Sequence, residues 1–304
     1  MAYKQRSIRL EVINTNSTFD ESGNNTISIS NAKVHVSLQA SGGSRAGTTA
    51  NVNITGLGLE LIALLSFKAQ GNYSEAIPGH LQLKIYVPDD MGQEVELFSG
   101  FMYTSIANMN ATPDPILSIT ATGNTDLQHI SSPPYSHRGS TPVADIITAI
   151  CNSVGYTAKL VGLDGKVLVD PHFEGDVYEQ LRQVCKVSGL QLDVTPPTIT
   201  VWPEGNTKDD IVPLVSPEHG MIGYPIFSNG GIMFQTQFSS LLAVGRLVKI
   251  QTSLPHASGI YSMTSVQHEL STWDTGGVWN SIVTATKPAN SPAESNVKAN
   301  STNP

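Results

Sequence analysis

Apolar and polar residues alternate along several segments of the first 125 residues, and this alternation constrains the fold more than any other feature of the sequence. Val34, Val36 and Leu38 fall on one side of an extended chain, and the residues between them are polar. Segments 8–12 and 81–87 repeat the pattern. A period of two is typical of antiparallel strands with one buried and one polar face. The N-terminal part is therefore predicted to be a small β-barrel or sandwich.

Two further features complete this β-rich outline. Leucines at helical spacing after Gly56 predict one helix packed on the first sheet, with Leu57, Leu61, Leu64 and Leu65 on its apolar side. From Gly205 the chain returns to strand patterns, at 248–250, 260–266 and 279–283. The second β region should be another antiparallel barrel.

The region between the two β regions has a different pattern. Segment 131–136 is a linker by composition, and helix signals follow it. Thr141 is expected to cap a first helix, and Asp176 with Glu179 forms the capping box of a second helix that ends at Gly189. A strand-like hairpin is predicted at 158–161 with 166–169, and two further strands are predicted at 190–195 and 198–202.

These patterns predict a mainly β chain, with two antiparallel β-barrels flanking a small α/β insertion. The predicted units are 1–130 for the first barrel with its helix, 131–204 for the insertion, 205–287 for the second barrel and 288–304 for a disordered tail rich in Asn, Ser, Pro and Ala.

Composition argues against several classes of function. Charged residues make up only 14% of the chain, against about 25% in an ordinary soluble domain. With 17 basic and 25 acidic residues the formal charge is −8, which disfavours sequence-specific nucleic-acid binding, because such binding depends on neutralising phosphates. A surface rich in small polar residues suits β-structure that packs against other subunits.

Neither the cysteines nor the apolar segments indicate secretion or membrane insertion. Cys151 and Cys185 lie on predicted helices and are expected to be reduced and buried. Residues 1–6 lead directly into a strand pattern without the apolar segment of a signal peptide, so assembly is expected in the cytoplasm. The longest apolar stretch, 57–67, is too short to cross a bilayer.

Phosphate-binding and nucleophile motifs match only in part. Gly56-Leu57-Gly58-Leu59-Glu60-Leu61 resembles a dinucleotide fingerprint, but its sixth position is bulky and no βαβ pattern surrounds it. Segment 162–166 lacks the spacing of a phosphate loop, and segment 42–47 lacks the strand-to-helix turn of a nucleophile elbow.

Histidines and carboxylates offer the remaining chemistry. No histidine pair has the spacing of a zinc helix. His268 could transfer a proton or bind a metal, although a histidine hydrogen-bonded at a barrel seam is the simpler interpretation. Paired carboxylates could hydrolyse glycosides, and the pairs considered are Asp89 with Asp90, Glu94 with Glu96, and Asp209 with Asp210. Because most lie in turns or on polar faces, we assign no catalytic, cofactor-binding or metal-binding residue, and we expect no cofactor and no enzymatic activity.

Several segments together resemble the baseplate hub proteins of contractile-tailed bacteriophages and related tail-like machines. The resemblance extends over about residues 8–287, and the segments that carry it are 52–57, 98–101, 113–119, 223–227, 231–234, 245–248, 259–261, 266–268 and 276–279. It implies two tube-type barrels in one chain, separated by an insertion domain. It also implies that three chains form a ring whose six barrels mimic sixfold symmetry around an axial channel.

The resemblance therefore predicts a structural hub in the virion baseplate. The expected partners are two further copies of the chain, a hexameric tail-tube protein or tube initiator above, and a trimeric spike below, with baseplate wedge proteins as further neighbours. No membrane insertion is expected. A carbohydrate-active or carbohydrate-binding β-protein of a virion is the alternative, and a tail-tube or capsid protein is a third, although neither a tube nor a capsid protein requires a helical insertion between two barrels.

Overall fold

The computed structural model describes residues 6–41, 47–66, 81–89, 91–111, 113–228 and 230–288. In the N-terminal β region, seven strands and one helix follow one another in the order β1 (Arg9–Asn14), β2 (Thr26–Ile29), β3 (Lys33–Ser41), β4 (Thr49–Thr55), α1 (Leu59–Leu65), β5 (Leu81–Pro88), β6 (Glu94–Asn108) and β7 (Ile116–Thr122).

The insertion contains two longer helices and several short strands. Their order is β8 (Tyr135–Ser136), β9 (Ser140–Pro142), α2 (Val143–Asn152), β10 (Thr157–Leu160), β11 (Val167–Val169), β12 (His172–Phe173), α3 (Val177–Ser188), β13 (Leu190–Thr195) and β14 (Thr198–Pro203). None of the helices in the described ranges has the length and apolarity that a bilayer span requires.

The C-terminal β region consists of β15 (Leu214–Val215), a 3₁₀ turn (Pro217–His219), β16 (Met221–Ser228), β17 (Gly231–Gln237), β18 (Leu247–Ile250), β19 (Gly259–Ser271) and β20 (Trp279–Thr286). The predicted strands at 248–250, 260–266 and 279–283 are all present, and β19 continues five residues beyond its predicted end.

One hydrogen-bonded sheet runs through both β regions. Its strands lie in the order β16-β17-β20-β19-β3-β4-β7-β6-β5-β1-β2, and β18 and β15 branch from β19. Every pairing in this sheet is antiparallel except that of β15 with β18. The junction between the two β regions is the pairing of β19 with β3.

Three separate apolar cores fill the molecule. The first lies inside the N-terminal strands and includes Val34, Val36 and Leu38, as the alternation in that segment predicts. The second lies between α2, α3 and the strand pair β13–β14, and the third lies inside the C-terminal strands. The chain is thus mainly β, with two antiparallel barrels flanking a small α/β insertion, and the predicted fold class is confirmed.

Local capping signals were correct for α3 and wrong for α2. Asp176 accepts a hydrogen bond from the backbone N–H of Glu179 at 2.7 Å, and Gly189 ends the helix in the left-handed conformation. Thr141 lies in β9 instead, where its hydroxyl contacts Nδ1 of His137 at 2.8 Å, and α2 begins after Pro142 without a side-chain cap.

One other expectation for local structure was wrong, and another was correct except at one residue. The segments 158–161 and 166–169 form no hairpin, because β10 pairs in parallel with β14 and β11 pairs with β9. The first helix, α1, begins at Leu59. Leu65 is buried and Leu57 and Leu61 pack against the first core as predicted, but Leu64 is exposed and Ile62 is buried in addition.

The unit boundaries at 130, 204 and 287 stay predictions. The predicted tail lies outside the described residues from position 289 onward, as do Asp90 and most of the segment 42–47.

Candidate subunit interface

The two barrels repeat one strand plan. In the first barrel β3 pairs with β4, β4 with β7, β7 with β6 and β6 with β5. In the second, β16 pairs with β17, β17 with β20, β20 with β19 and β19 with β18. The strands occur in the same chain order in both barrels, so β3 to β7 correspond to β16 to β20.

Irregularities in the ladders fix the correspondence residue by residue. The pairing of β6 with β7 shifts register between Met102 and Thr104, and that of β19 with β20 shifts between Met263 and Ser265. Thr104 therefore corresponds to Ser265, and Asn108, four residues later, corresponds to Glu269. A β-bulge inserts an unpaired residue and bends the strand, so bulges at the same point give both barrels a long strand with two partners.

Seven residue pairs join the barrels within the chain, from Ser265 opposite Ser41 to Ser271 opposite His35. On the core side of the junction Leu38 and Leu270 are buried. On the opposite side the hydroxyl of Ser37 donates to a carboxylate oxygen of Glu269 at 2.6 Å. The junction is thus closed by backbone pairing, apolar burial on one side and polar contacts on the other.

His268 lies within this junction. Its Nδ1 is 2.7 Å from the Ser281 hydroxyl oxygen, and its ring meets that of Phe238 edge to face at a centroid distance of 5.2 Å. Burial lowers the pKa of His268 to about 4, so the ring is neutral at physiological pH. This is the arrangement of a hydrogen-bonded histidine at a barrel seam, which was the simpler of its two interpretations.

The face of the sheet that points away from both cores carries hydroxyl and amide groups. Ser118 donates to the amide oxygen of Asn53 at 2.8 Å, and Thr120 donates to that of Asn51 at 3.1 Å. On β19, beside the junction, the side-chain amide of Gln267 donates to Glu269 at 2.7 Å. The polar surface of β4 and β7 thus reaches the junction at Gln267 and Glu269, whereas the corresponding face of the second barrel exposes Ile226 and Met233.

Two strand edges that expose large apolar side chains lack partners within the part of the chain that the structure describes. β16 ends the sheet and pairs only with β17. Residues 103–108 of β6 pair with β7 on one edge, whereas the pairing of β6 with β5 ends at Phe101. Large apolar side chains are exposed at both edges: Ile222, Tyr224, Ile226 and Phe227 on β16, and Tyr103, Ile106 and Met109 on or directly after β6.

Three of the carboxylates paired in the sequence analysis form ion pairs, and Asp210 is exposed. Glu94 forms a two-pronged hydrogen-bonded pair with Arg9, at 2.7 and 2.9 Å, and this contact lowers the pKa of Glu94. Glu96 pairs with Lys84 at 3.2 Å, and Asp209 pairs with Arg246 at 2.8 Å.

The remaining polar candidates also have structural partners. Asp89 accepts hydrogen bonds from two backbone N–H groups in the turn between β5 and β6.

Cys151 and Cys185 are buried free thiols, and burial raises their pKa values to about 11 and about 12. Over the described residues, no group of three or more His, Cys, Asp or Glu side chains could hold a metal ion.

An open cleft of about 320 Å³ lies where the two barrels meet the insertion. Its basic groups are already paired, since Lys208 contacts Asp193 at 3.0 Å and Arg246 contacts Asp209. The ion pair of Lys208 with Asp193 therefore connects the insertion to the chain that follows it. Because these groups are paired, the cleft offers little free charge to a ligand.

Sequence analysis did not find the repeated strand plan or the two unpaired edges. Few corresponding residues share a type, as Met102 and Met263 do, and beyond these both barrels keep only the alternation that any half-buried strand has.

Comparison with known proteins gives the fold a context. No protein-family model and no curated protein matches the sequence. The structure is similar to the 43 kDa tail protein of prophage MuSo2 from Shewanella oneidensis, with a TM-score of 0.62 at 10% identity over 93% of this chain and 97% of that one. A tail protein of Neisseria meningitidis MC58 gives a TM-score of 0.64 at 10% identity, with the same coverage of both chains.

A third similar structure comes from Escherichia coli. It is a component of the type VI secretion system that exhibits structural similarity to the T4 bacteriophage tail proteins gp27 and gp5. Its TM-score is 0.59 at 9% identity, over 86% of this chain and 75% of that one. At such low identities the likeness is one of fold, and the chain has the mainly β architecture of phage tail proteins.

Proposed function

We propose that this protein is the baseplate hub of a contractile phage tail or a related tail-like machine. Three chains form a ring of six barrels, which joins a hexameric tail tube on one side to a trimeric spike on the other. Baseplate wedge proteins are further neighbours, and the assembled protein belongs to the virion. The proposed role is structural, with no catalytic activity.

The observation that carries this proposal is the continuous sheet. Two barrels built on one strand plan are joined edge to edge inside the chain through β19 and β3. A repeated unit that pairs with its neighbour and leaves complementary edges at both ends closes into a ring when the rotation between units is right. The fold shared with phage tail proteins supports the same arrangement.

The polar face of the sheet suits the lining of a channel for DNA. Hydroxyl groups there donate hydrogen bonds to amide oxygens, Ser118 to Asn53 and Thr120 to Asn51. Glu269 adds negative charge next to the junction. Phosphates bind where Lys and Arg neutralise them. A lining of amides, hydroxyls and a few carboxylates would let a duplex pass without holding it.

The mass of the assembly in solution tests the proposal. Light scattering after size exclusion should give three times the mass of one chain, and images of that peak should show a central hole. A ring of six chains would contradict the hub and would instead indicate a tube protein. A monomer at every concentration, including in the presence of the spike, would contradict the ring itself.

A further inference from the structure

We propose that the edges of β6 and β16, which have no partner among the described residues, pair with each other between neighbouring copies of the chain, antiparallel and in the register of β19 with β3. This inference rests on the proposed ring, and it assigns the contact that closes the ring. Its occupant is a second copy of this chain.

The register follows from the repeat. Thr120 and Thr284 correspond, because they lie opposite the corresponding residues Thr104 and Ser265. Asn51 lies opposite Thr120 and Met233 lies opposite Thr284, so Asn51 and Met233 correspond as well. Ser37 lies opposite Asn51 and Ile226 lies opposite Met233, so Ile226 takes the place of Ser37.

The intermolecular pairs can then be copied from the internal junction. Glu269 lies opposite Ser37 there, and Asn108 corresponds to Glu269, so Asn108 of one chain should face Ile226 of the next. One residue further along, Ala107 should face Phe227, as His268 faces Leu38.

Burial supports this register. Leu38 is 3% exposed within the internal junction, whereas Phe227, its counterpart on the free edge, is 56% exposed. Leu270 is fully buried, whereas its counterpart Met109 is 47% exposed. Each of these two corresponding positions thus holds an apolar side chain in both barrels. The side chain is buried at the internal junction and exposed at the free edge. Burying such side chains removes apolar surface from water, which favours association.

The free edges also lack the protection that solitary edges carry. Exposed edge strands are normally protected by charged residues, which prevent unwanted pairing. Residues 103–108 and β16 contain no Lys, Arg, Asp or Glu. Ile106 and Ile226 are both exposed and would be diagonal neighbours across the new junction, within reach of each other.

Other features decide how much of each strand takes part. Gly223 has a φ of +71° and Pro225 cannot donate a hydrogen bond, so the ladder should run mainly through Ile226, Phe227 and Ser228. At the opposite end of the sheet, one edge of β2 also has no partner within the described ranges, but Ile27 and Ile29 already pack on the first core. β2 therefore offers no comparable apolar surface.

A disulfide experiment on the full chain tests the register. The double variant Asn108→Cys/Ile226→Cys should oxidise to covalent dimers and closed trimers, because the equivalent side chains of Glu269 and Ser37 touch in the internal junction. The matched control is Thr104→Cys/Ile226→Cys, which places the thiols four residues, or about 13 Å, apart. That is beyond the reach of a disulfide. Cys151 and Cys185 are buried, and single variants would report any reaction from them.

The outcomes separate the inference from the proposed function. Cross-linking of the Asn108/Ile226 pair but not of the Thr104/Ile226 pair supports the register. A trimer by light scattering in which the Asn108/Ile226 pair fails to cross-link, or in which both pairs cross-link equally, overturns the inference and leaves the ring intact. A chain that stays monomeric and forms no cross-link contradicts both.

Discussion

At the scale of single residues, His268 links the junction of the two barrels to pH. The buried ring is neutral in the folded chain, with a pKa of about 4, against an ordinary value of 6.5. The unfolded chain therefore binds one more proton than the folded chain between these two pH values. By linkage, His268 costs no stability above pH 6.5, and stability falls as the pH is lowered from 6.5 to 4.

We expect this loss to reach about 3 kcal/mol of unfolding free energy at pH 4. In His268→Gln the loss over that range should be smaller by a similar amount, because glutamine does not titrate there. Urea unfolding at a series of pH values measures the difference. His172→Gln, at an exposed position, is the control and should keep the wild-type pH dependence. Equal pH dependence in His268→Gln and the wild type would contradict the account of the junction.

At the scale of elements, sequence signals worked where their partners are close in the chain. Asp176, which caps α3, accepts a hydrogen bond from an N–H only three residues away. Gly189 ends the helix through its own left-handed backbone conformation. The hairpin assigned to 158–169 was wrong because both of its strands pair with distant segments, β14 and β9. Thr141 had a suitable side chain for capping, but His137 contacts its hydroxyl.

The α3 cap provides a prediction at this scale. Asp176→Ala removes the side chain that accepts from Glu179 N–H, and should lower the unfolding free energy by about 1 kcal/mol. Asp164→Ala changes an exposed turn residue and should lie within about 0.5 kcal/mol of the wild type. Thermal or urea unfolding of both variants, side by side, measures the contrast. A loss of the same size in both variants would mean that the cap contributes nothing beyond a surface charge.

At the scale of the whole molecule, the fold class could be predicted but the interface could not. Alternation fixes which face of each strand is buried, and that is enough for two β regions and an insertion. It does not fix which strand lies next to which. The correspondence of Leu38 with Phe227 and of Glu269 with Asn108 appears only from pairing and bulge positions, because the residues share a role and not a type.

That correspondence makes opposite predictions for two equivalent side chains. Leu38→Ala should lower the unfolding free energy by about 2–4 kcal/mol, since Leu38 is buried inside the chain. Phe227→Ala should change the stability of the single chain by less than about 0.5 kcal/mol, because its side chain is exposed there. It should instead shift the trimer towards monomer in light scattering over a dilution series.

Urea unfolding in dilute solution, where the variant chain is monomeric, measures the stability of the single chain. The dilution series measures the stability of the trimer. Met91→Ala removes a large apolar side chain that is 85% exposed in the turn between β5 and β6, so it is the control and should leave both the trimer and the single chain as stable as the wild type. If Phe227→Ala leaves the trimer as stable as the wild type, then exposure at this edge has another cause, and the copied register loses its main support. If it unfolds the monomer instead, Phe227 packs within its own barrel, and the two junctions are not equivalent.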